Sequence, residues 1–237
     1  MGSLNEHLAE AWKSVEARCE LHGRPTRLFR VSLGKTALLV IDMQRAWMEP
    51  GWGWGDSFIK AKDIVGNINS LAEACRLKGI PVVWIKSVYR RDGSDTGLWP
   101  LFRPKGLGGD KLTPLGGLSD PRGVELWPAL KVDPKKDHMI VKKRFSAFIR
   151  GSSRLDRLLR NMGVDTVIIT GIASNVCCES TARDGMMLDY KVIFVSDATA
   201  SPNELLHQTT LMNMKLIFAD VVSTQELLEE IKGGTLP

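Results

Sequence analysis

A chain of 237 residues, 43% hydrophobic and 25% charged, is long enough to bury the core of one sizeable α/β domain and too ordinary in composition for a disordered or fibrous protein. No apolar run approaches the roughly 20 residues that a bilayer span needs, and the four cysteines, Cys19, Cys75, Cys177 and Cys178, have neither metal-ligand spacing nor a secreted disulfide pattern, so no membrane partner is expected. The net charge of +5 raises the question of nucleic acid, but Lys135, Lys136, Lys142, Lys143 and Arg144 are interrupted by Asp133 and Asp137 and carry no accompanying motif, which leaves a solvated basic face and no nucleic-acid partner.

The N-terminal stretch MGSLNEHLAEAWKSVEARCE has no apolar core of signal-peptide type, and Glu6 stands where a myristoylation signal prefers Ser or Thr. A cytoplasmic, reduced setting is expected. Leu8, Ala11, Trp12, Val15 and Cys19 recur at three- and four-residue steps, so residues 1–33 read as a helix or arm, packed over the domain's own edge or against another subunit. A single domain then fills residues 34–237.

Thr36–Ile41 is a continuous apolar run, the pattern of a strand buried on both faces, and it delivers Asp42 to the strand's carboxyl end. Ligands of open α/β sheets bind outside those ends, although a turn-forming carboxylate is the alternative for Asp42. Gly51-Trp52-Gly53-Trp54-Gly55-Asp56 is no dinucleotide loop: Asp56 takes the place of the third glycine, and two tryptophans would obstruct a pyrophosphate. Its aromatic residues wall a pocket or pack within the loop.

Ile64, Ile68, Leu71 and Cys75 mark one helical face closed by Gly79, and Pro81–Ile85 is the second strand. An inserted loop follows at about residues 88–137, rich in Gly and Pro. Its Trp99, Leu101, Phe102, Leu126, Trp127 and Leu130 imply an ordered excursion, a substrate-selecting lid or a subunit contact. His138–Val141 is a third strand that brings Lys142 to the same sheet edge. Ser152 or Ser153 caps a helix displaying Leu155, Leu158, Leu159 and Met162, closed by Gly163.

The chain is organised around Thr166–Asp189. Val167, Ile168 and Ile169 form a buried strand, and Ser174 or Asn175 is positioned to cap the helix that follows, which puts Cys177 at a helix N-terminus. Free N–H groups and the helix dipole favour a thiolate there and offer donors to an oxyanion; a packing cysteine is the competing reading. Lys191–Val195 and Lys215–Phe218 are the fifth and sixth strands, with helices at Glu204–Met212 and Thr224–Ile231. This alternation predicts a three-layer α/β/α fold, doubly wound, around a mainly parallel six-stranded sheet.

Three strand ends thus offer an acid, a cation and a thiol. Around them stand Asp42-x-Gln44, Lys142-x-x-x-Ser146-Ala147-Phe148 and Gly171-x-x-x-Asn175-Val176-Cys177-x-Glu179-Ser180-Thr181. In this order and at these separations they resemble the isochorismatase-like cysteine hydrolases over roughly residues 34–232. The resemblance implies that Asp42 is the general base for Cys177 and that Lys142 orients Asp42 and favours the thiolate. It also implies a non-proline cis peptide between Ile172 and Ala173, with the N–H groups of Ala173 and Cys177 forming the oxyanion hole. Gln44, Phe148 and Asn175 within the motifs, with Trp47 and Arg144 beside them, are the candidate substrate contacts. For Arg144 a surface ion pair competes with a carboxylate clamp. Whether Trp52, Trp54 or Trp99 reaches the substrate is left open. Motif position assigns Cys178 and Lys143 to the background of Cys177 and Lys142.

Family members that cleave the vinyl ether of isochorismate tend to lack the cysteine, so Cys177 points to C–N hydrolysis of a small amide, ureido or carbamoyl compound. Nicotinamidase-type members carry an Asp-x-His metal motif after the second strand, replaced here by KSVYRRDGSD, and His7, His22, His138 and His207 are scattered. The expectation is a cysteine amidohydrolase that uses no metal and no cofactor, acts on a small molecule through a thiol acyl-enzyme, and assembles as a homo-oligomer. The run NVCCESTARDG most closely resembles the ureidoacrylate and N-carbamoylsarcosine amidohydrolases. The alternatives are a vinyl ether hydrolase of isochorismatase type, a catalytically silent binding protein of the same fold, and a thiol sensor, for which adjacent cysteines are poorly spaced.

Overall fold

The strand run that ends at Asp42 is β1 (Thr36–Ile41), buried at every position, and its parallel neighbour β4 (Thr166–Ile172) is equally buried. Residues 3–25, 27–52, 59–98 and 117–233 are described by the computed structural model. Gly53 to Asp56, Trp99, Leu101 and Phe102 therefore lie outside the described residues. With β2 (Val82–Ser87), β3 (His138–Lys142), β5 (Lys191–Ala200) and β6 (Asp220–Val222), β1 and β4 form one sheet in the order β3-β2-β1-β4-β5-β6. All five pairings are parallel. A parallel sheet needs cover on both sides, because each strand sends alternate residues to opposite faces.

Among the described residues, seven α-helices surround the sheet: α1 (Leu4–Leu21), α2 (Arg45–Met48), α3 (Val65–Leu77), α4 (Leu155–Asn161), α5 (Glu179–Met187), α6 (Glu204–Asn213) and α7 (Thr224–Gly233). On one face Ile68, Leu71 and Cys75 of α3 and Leu227 and Ile231 of α7 pack with Leu38, Val40, Trp84 and Ile168. On the other, Leu155 and Leu159 of α4, Ala182 of α5 and Leu211 of α6 pack with Leu39, Ile41, Ile85 and Ile169. Three layers result, as the alternation of elements predicts. Among the described residues no helix is long and apolar enough to cross a membrane.

The sixth strand is displaced from its expected place. Met214–Phe218 continues α6 as a widened π-helical turn, and the strand is Asp220–Val222. Met214 is buried in the core while Ile217 is exposed, so the apolar run KLIF has no sheet to enter. Asp220 is held instead by distant partners: its Oδ2 accepts the N–H groups of Leu28 (2.7 Å) and Phe29 (2.6 Å), and Arg24 and Arg27 lie beside it. The same segment anchors the N-terminal arm. Arg24 donates to the carbonyls of Lys215 and Ala219, and Trp12 of α1 donates to Gln208 Oε1 of α6 at 2.8 Å.

The described parts of the insertion close over the C-terminal end of β1. Arg45 N–H donates to Glu125 O, Ala46 N–H to Gly123 O and Trp127 N–H to Met43 O, while Leu126, Trp127 and Leu130 join the α3-side core.

Candidate active site

The strand order reverses between β1 and β4, and the helices that follow the two strands pack on opposite faces of the sheet, the place where open α/β sheets bind their ligands. Two backbone features bring the loops together there. Gly171 has φ +106°, and a Cβ on it would stand 2.1 Å from Ile41 O, so only glycine lets β4 run this close to the end of β1. Asp42 has φ 54°, in the left-handed region that Asp tolerates better than most residues. The Ile172–Ala173 peptide is cis, as the family resemblance implies.

Asp42, Lys142 and Cys177 meet at this point. Lys142 Nζ lies 2.8 Å from Asp42 Oδ2, and both side chains are almost wholly buried. The same ammonium donates to Ser87 Oγ at 2.9 Å, Arg144 O at 3.1 Å and Cys177 Sγ at 3.4 Å. Ser87 Oγ in turn donates to Asp42 Oδ1 at 3.0 Å. Asp42 Oδ2 has the lysine charge beside it, yet among the described residues no hydrogen-bond donor is aligned on it. That oxygen keeps a lone pair for an incoming proton.

The cysteine turn differs from the expected capped helix. Ser174–Cys178 is a π-helical turn in which Ala173 O takes the N–H groups of Val176 (3.1 Å) and Cys178 (3.0 Å) and passes over that of Cys177. Neither Ser174 nor Asn175 caps it. Ser174 Oγ is hydrogen-bonded to His207 Nδ1 at 2.8 Å, and Asn175 Oδ1 accepts from Ser201 Oγ at 2.6 Å. Both polar side chains tie the turn sideways, to α6 and to the end of β5. Among the described residues no acceptor engages the Ala173 N–H.

Burial works against the thiolate expectation. Desolvation, joined by the negative charge of Asp42, pushes the Cys177 thiol above its ordinary pKa, and Lys142 offsets this only in part. The balance favours a thiol as the resting form. For Lys142 desolvation favours the neutral amine, but the Asp42 charge beside it works the other way, and the net shift is upward. Burial also pushes Tyr89, near the same charges, up to about 12, and Cys178 well above the usual thiol range.

The remaining motif residues divide by placement. Gln44 is fully buried, with Nε2 donating to Ser87 O (3.0 Å) and Val124 O (3.2 Å) and Oε1 accepting from Ser87 N–H (2.8 Å), so its amide faces backbone on both ends. Phe148 faces the core: its ring lies 5.0 Å from that of Tyr190 and against Gly185. Arg144 is exposed and donates to Asp95 O (2.7 Å) and Lys143 O (2.6 Å). Trp47 packs beside Ala46, Tyr89 and Leu118. Thr181 Oγ1 donates to Cys177 O (2.7 Å) and accepts from Ala147 N–H (3.2 Å), clipping the lysine loop to the cysteine helix. Glu179 binds Arg183 and Thr210, joining α5 to α6.

Ser87 and His207 were not expected at the site from sequence. Ser87 stands directly at the carboxyl end of the second apolar run, the same positional rule that singles out Asp42. His207 carries no comparable signal.

The isochorismatase domain family matches residues 36–226. The chain is 34% identical over 198 residues to an Arabidopsis thaliana protein named "probable inactive nicotinamidase", covering 83% of this chain and 96% of that protein. It is 33% identical over 225 residues to the ureidoacrylate amidohydrolase RutB of Pseudomonas savastanoi pv. phaseolicola, covering 87% of each. Among solved structures, a cysteine hydrolase from Pseudomonas syringae pv. phaseolicola aligns with a TM-score of 0.77 at 30% identity, over 88% of this chain and 98% of that one.

Proposed function

The chain belongs to the isochorismatase family, and from that membership we propose that it is a cysteine hydrolase cleaving the C–N bond of a small amide, ureido or carbamoyl compound. The observation that carries the reading is the buried contact of one ammonium, Lys142, with both Asp42 (2.8 Å) and Cys177 (3.4 Å). The likeness to a ureidoacrylate amidohydrolase supports the choice of bond.

The chemistry starts from the protonated thiol. As Sγ forms its bond to the substrate carbonyl carbon, the S–H proton passes to Asp42 Oδ2, and the carbonyl π pair moves onto oxygen. The N–H groups of Ala173 and Cys177 receive that oxyanion. Collapse breaks the C–N bond, Asp42 returns the proton to the leaving nitrogen, and a thioester remains. Water, giving a proton to Asp42, then attacks the thioester; the C–S bond breaks, the acid leaves, and Asp42 returns its proton to sulfur. Lys142 stays charged throughout.

We further propose a homo-oligomer in the cytoplasm; light scattering tests the assembly. A catalytically silent protein is the second reading, favoured by the name of the Arabidopsis relative. The test is ammonia release from a panel of amides, ureido acids and carbamoyl amino acids with a chelator present, for wild type and Cys177→Ala, with isochorismate followed in parallel. Release that disappears in the variant is the expected result. Equal isochorismate turnover by both proteins, with no amide cleaved, overturns the C–N reading, and no turnover of any compound favours the silent protein.

A further inference from the structure

We infer that Ser87 is a positioning residue that decides which carboxylate oxygen of Asp42 takes the thiol proton. The inference rests on the cysteine-hydrolase reading above. An ammonium can only donate, so the contact between Lys142 Nζ and Ser87 Oγ at 2.9 Å makes the hydroxyl the acceptor. The single hydroxyl proton is then left for Asp42 Oδ1, an acceptor-only oxygen 3.0 Å away. The direction of the chain, from Lys142 through Ser87 to Asp42, is thus fixed by donor and acceptor capacity alone. Oδ1 takes the hydroxyl proton, and Oδ2, which holds only the ion pair with Lys142, is left to the proton that Cys177 releases.

The hydroxyl is held in place by its own backbone. Ser87 is the last residue of β2, paired with Lys142 in register, and Gln44 binds both its N–H (2.8 Å) and its C=O (3.0 Å). Gln44 is itself fully buried and tied to Val124 O. This gives a role to the motif glutamine whose amide faces backbone: it aims Ser87, and Ser87 aims Asp42. During proton transfer the S–H bond breaks, an O–H bond forms at Asp42 Oδ2, and the Ser87 proton remains on Oγ, so the serine is neither acid nor base.

Asp42 is faced by Lys142 from β3, by Ser87 from β2 and by Cys177 from the turn after β4, with Tyr89 and Cys178 within electrostatic reach. Of the three groups that face it, Ser87 alone can be truncated without removing a charge or the nucleophile. Loss of a donor to a carboxylate disfavours its charged form, so Ser87→Ala is expected to act on the base and not on the thiol directly.

The test follows alkylation of Cys177 by iodoacetamide as a function of pH, quantified on the Cys177 peptide by mass spectrometry, for wild type, Ser87→Ala and Ser87→Thr, with thermal melts confirming folding. Ser87→Ala is expected to slow labelling at neutral pH by about 10-fold or more and to move the low-pH limb of the profile to higher pH. Ser87→Thr, which keeps the hydroxyl, is expected to restore both. Slower labelling with an unmoved limb, or a Ser87→Ala profile equal to wild type, overturns the inference. If wild-type Cys177 reacts no faster than buried Cys75, the thiol reading itself fails and takes this one with it.

Discussion

Removing the Lys142 ammonium gives the most direct check on the site's electrostatics. Lys142→Met keeps most of the side-chain volume at a wholly buried position and leaves Asp42, 1% exposed, without the charge that stands 2.8 Å away. Breaking a buried pair by deleting one partner costs about 3–5 kcal/mol, because the other charge is left in low dielectric. For a chain of 237 residues the unfolding entropy near Tm is roughly 0.5 kcal/mol/K, so the expected fall in Tm is about 6–10 °C. Asp42→Asn should cost a similar amount, since it strands the lysine instead. Combining the two removes both charges, and the double variant should be more stable than the sum of the single losses by about 2 kcal/mol or more. Scanning calorimetry of the four proteins closes the cycle. The pH of the experiment follows from the sign of the shift: Lys142 is more basic folded than unfolded, so its contribution is intact below the ordinary lysine pKa of about 10.4 and fades only as pH rises above that. Measurements at pH 7 therefore read the whole effect. A Lys142→Met protein within 1 °C of wild type, or strictly additive single variants, would refute the coupling.

Gly171→Ala places a Cβ 2.1 Å from Ile41 O at a φ of +106°, so it should fold poorly or melt well below wild type, read by soluble yield and Tm. Burial raises Cys75 to about 12 and raises Cys177 and Cys178 as well, so from about pH 8.5 the unfolded chain releases thiol protons that the folded chain retains. Stability should then fall with pH by up to about 1.4 kcal/mol per unit for each thiol, and Cys75→Ala should lose less between pH 8 and pH 10 in urea titrations than wild type. Trp12→Ala removes the α1 contact with Gln208, and since Val15 is the one buried residue of that helix, limited proteolysis should clip residues 3–25 first while the sheet survives.

What the sequence makes legible is whatever is encoded locally. β1 and β4 read as continuous apolar runs because burial on both faces leaves no polar alternation, and Asp42, Lys142 and Cys177 stand out because each follows or ends such a run. Features decided by residues far apart in the chain do not read this way. Asp220 opens a strand of three residues because the backbone of Leu28 and Phe29, about 190 positions earlier, needs its carboxylate. Phe148 shares a motif with Lys142 yet serves the core, since Tyr190 and Gly185 close around it. Ser87 carries no local signature beyond its place at a strand end; its importance arises where β1, β2 and β3 end together.

The same distinction governs the charge state of the nucleophile. A helix N-terminus favours thiolate, but a resting thiolate beside Asp42 would put two negative charges around one ammonium in a buried site, and burial works against it. Moving the proton from Cys177 to Asp42 leaves the total charge unchanged and only shifts the negative charge from Oδ2 to Sγ. Lys142 is 2.8 Å from the first and 3.4 Å from the second. At an effective dielectric near 20 its attraction differs between the two by about 1 kcal/mol. A cation placed almost evenly between base and nucleophile therefore stabilises the carboxylate before transfer and the thiolate after it, so neither state is trapped. In a buried site that evenness calls for a group that stays charged throughout the transfer, which suits lysine better than a histidine that can lose its proton near neutral pH.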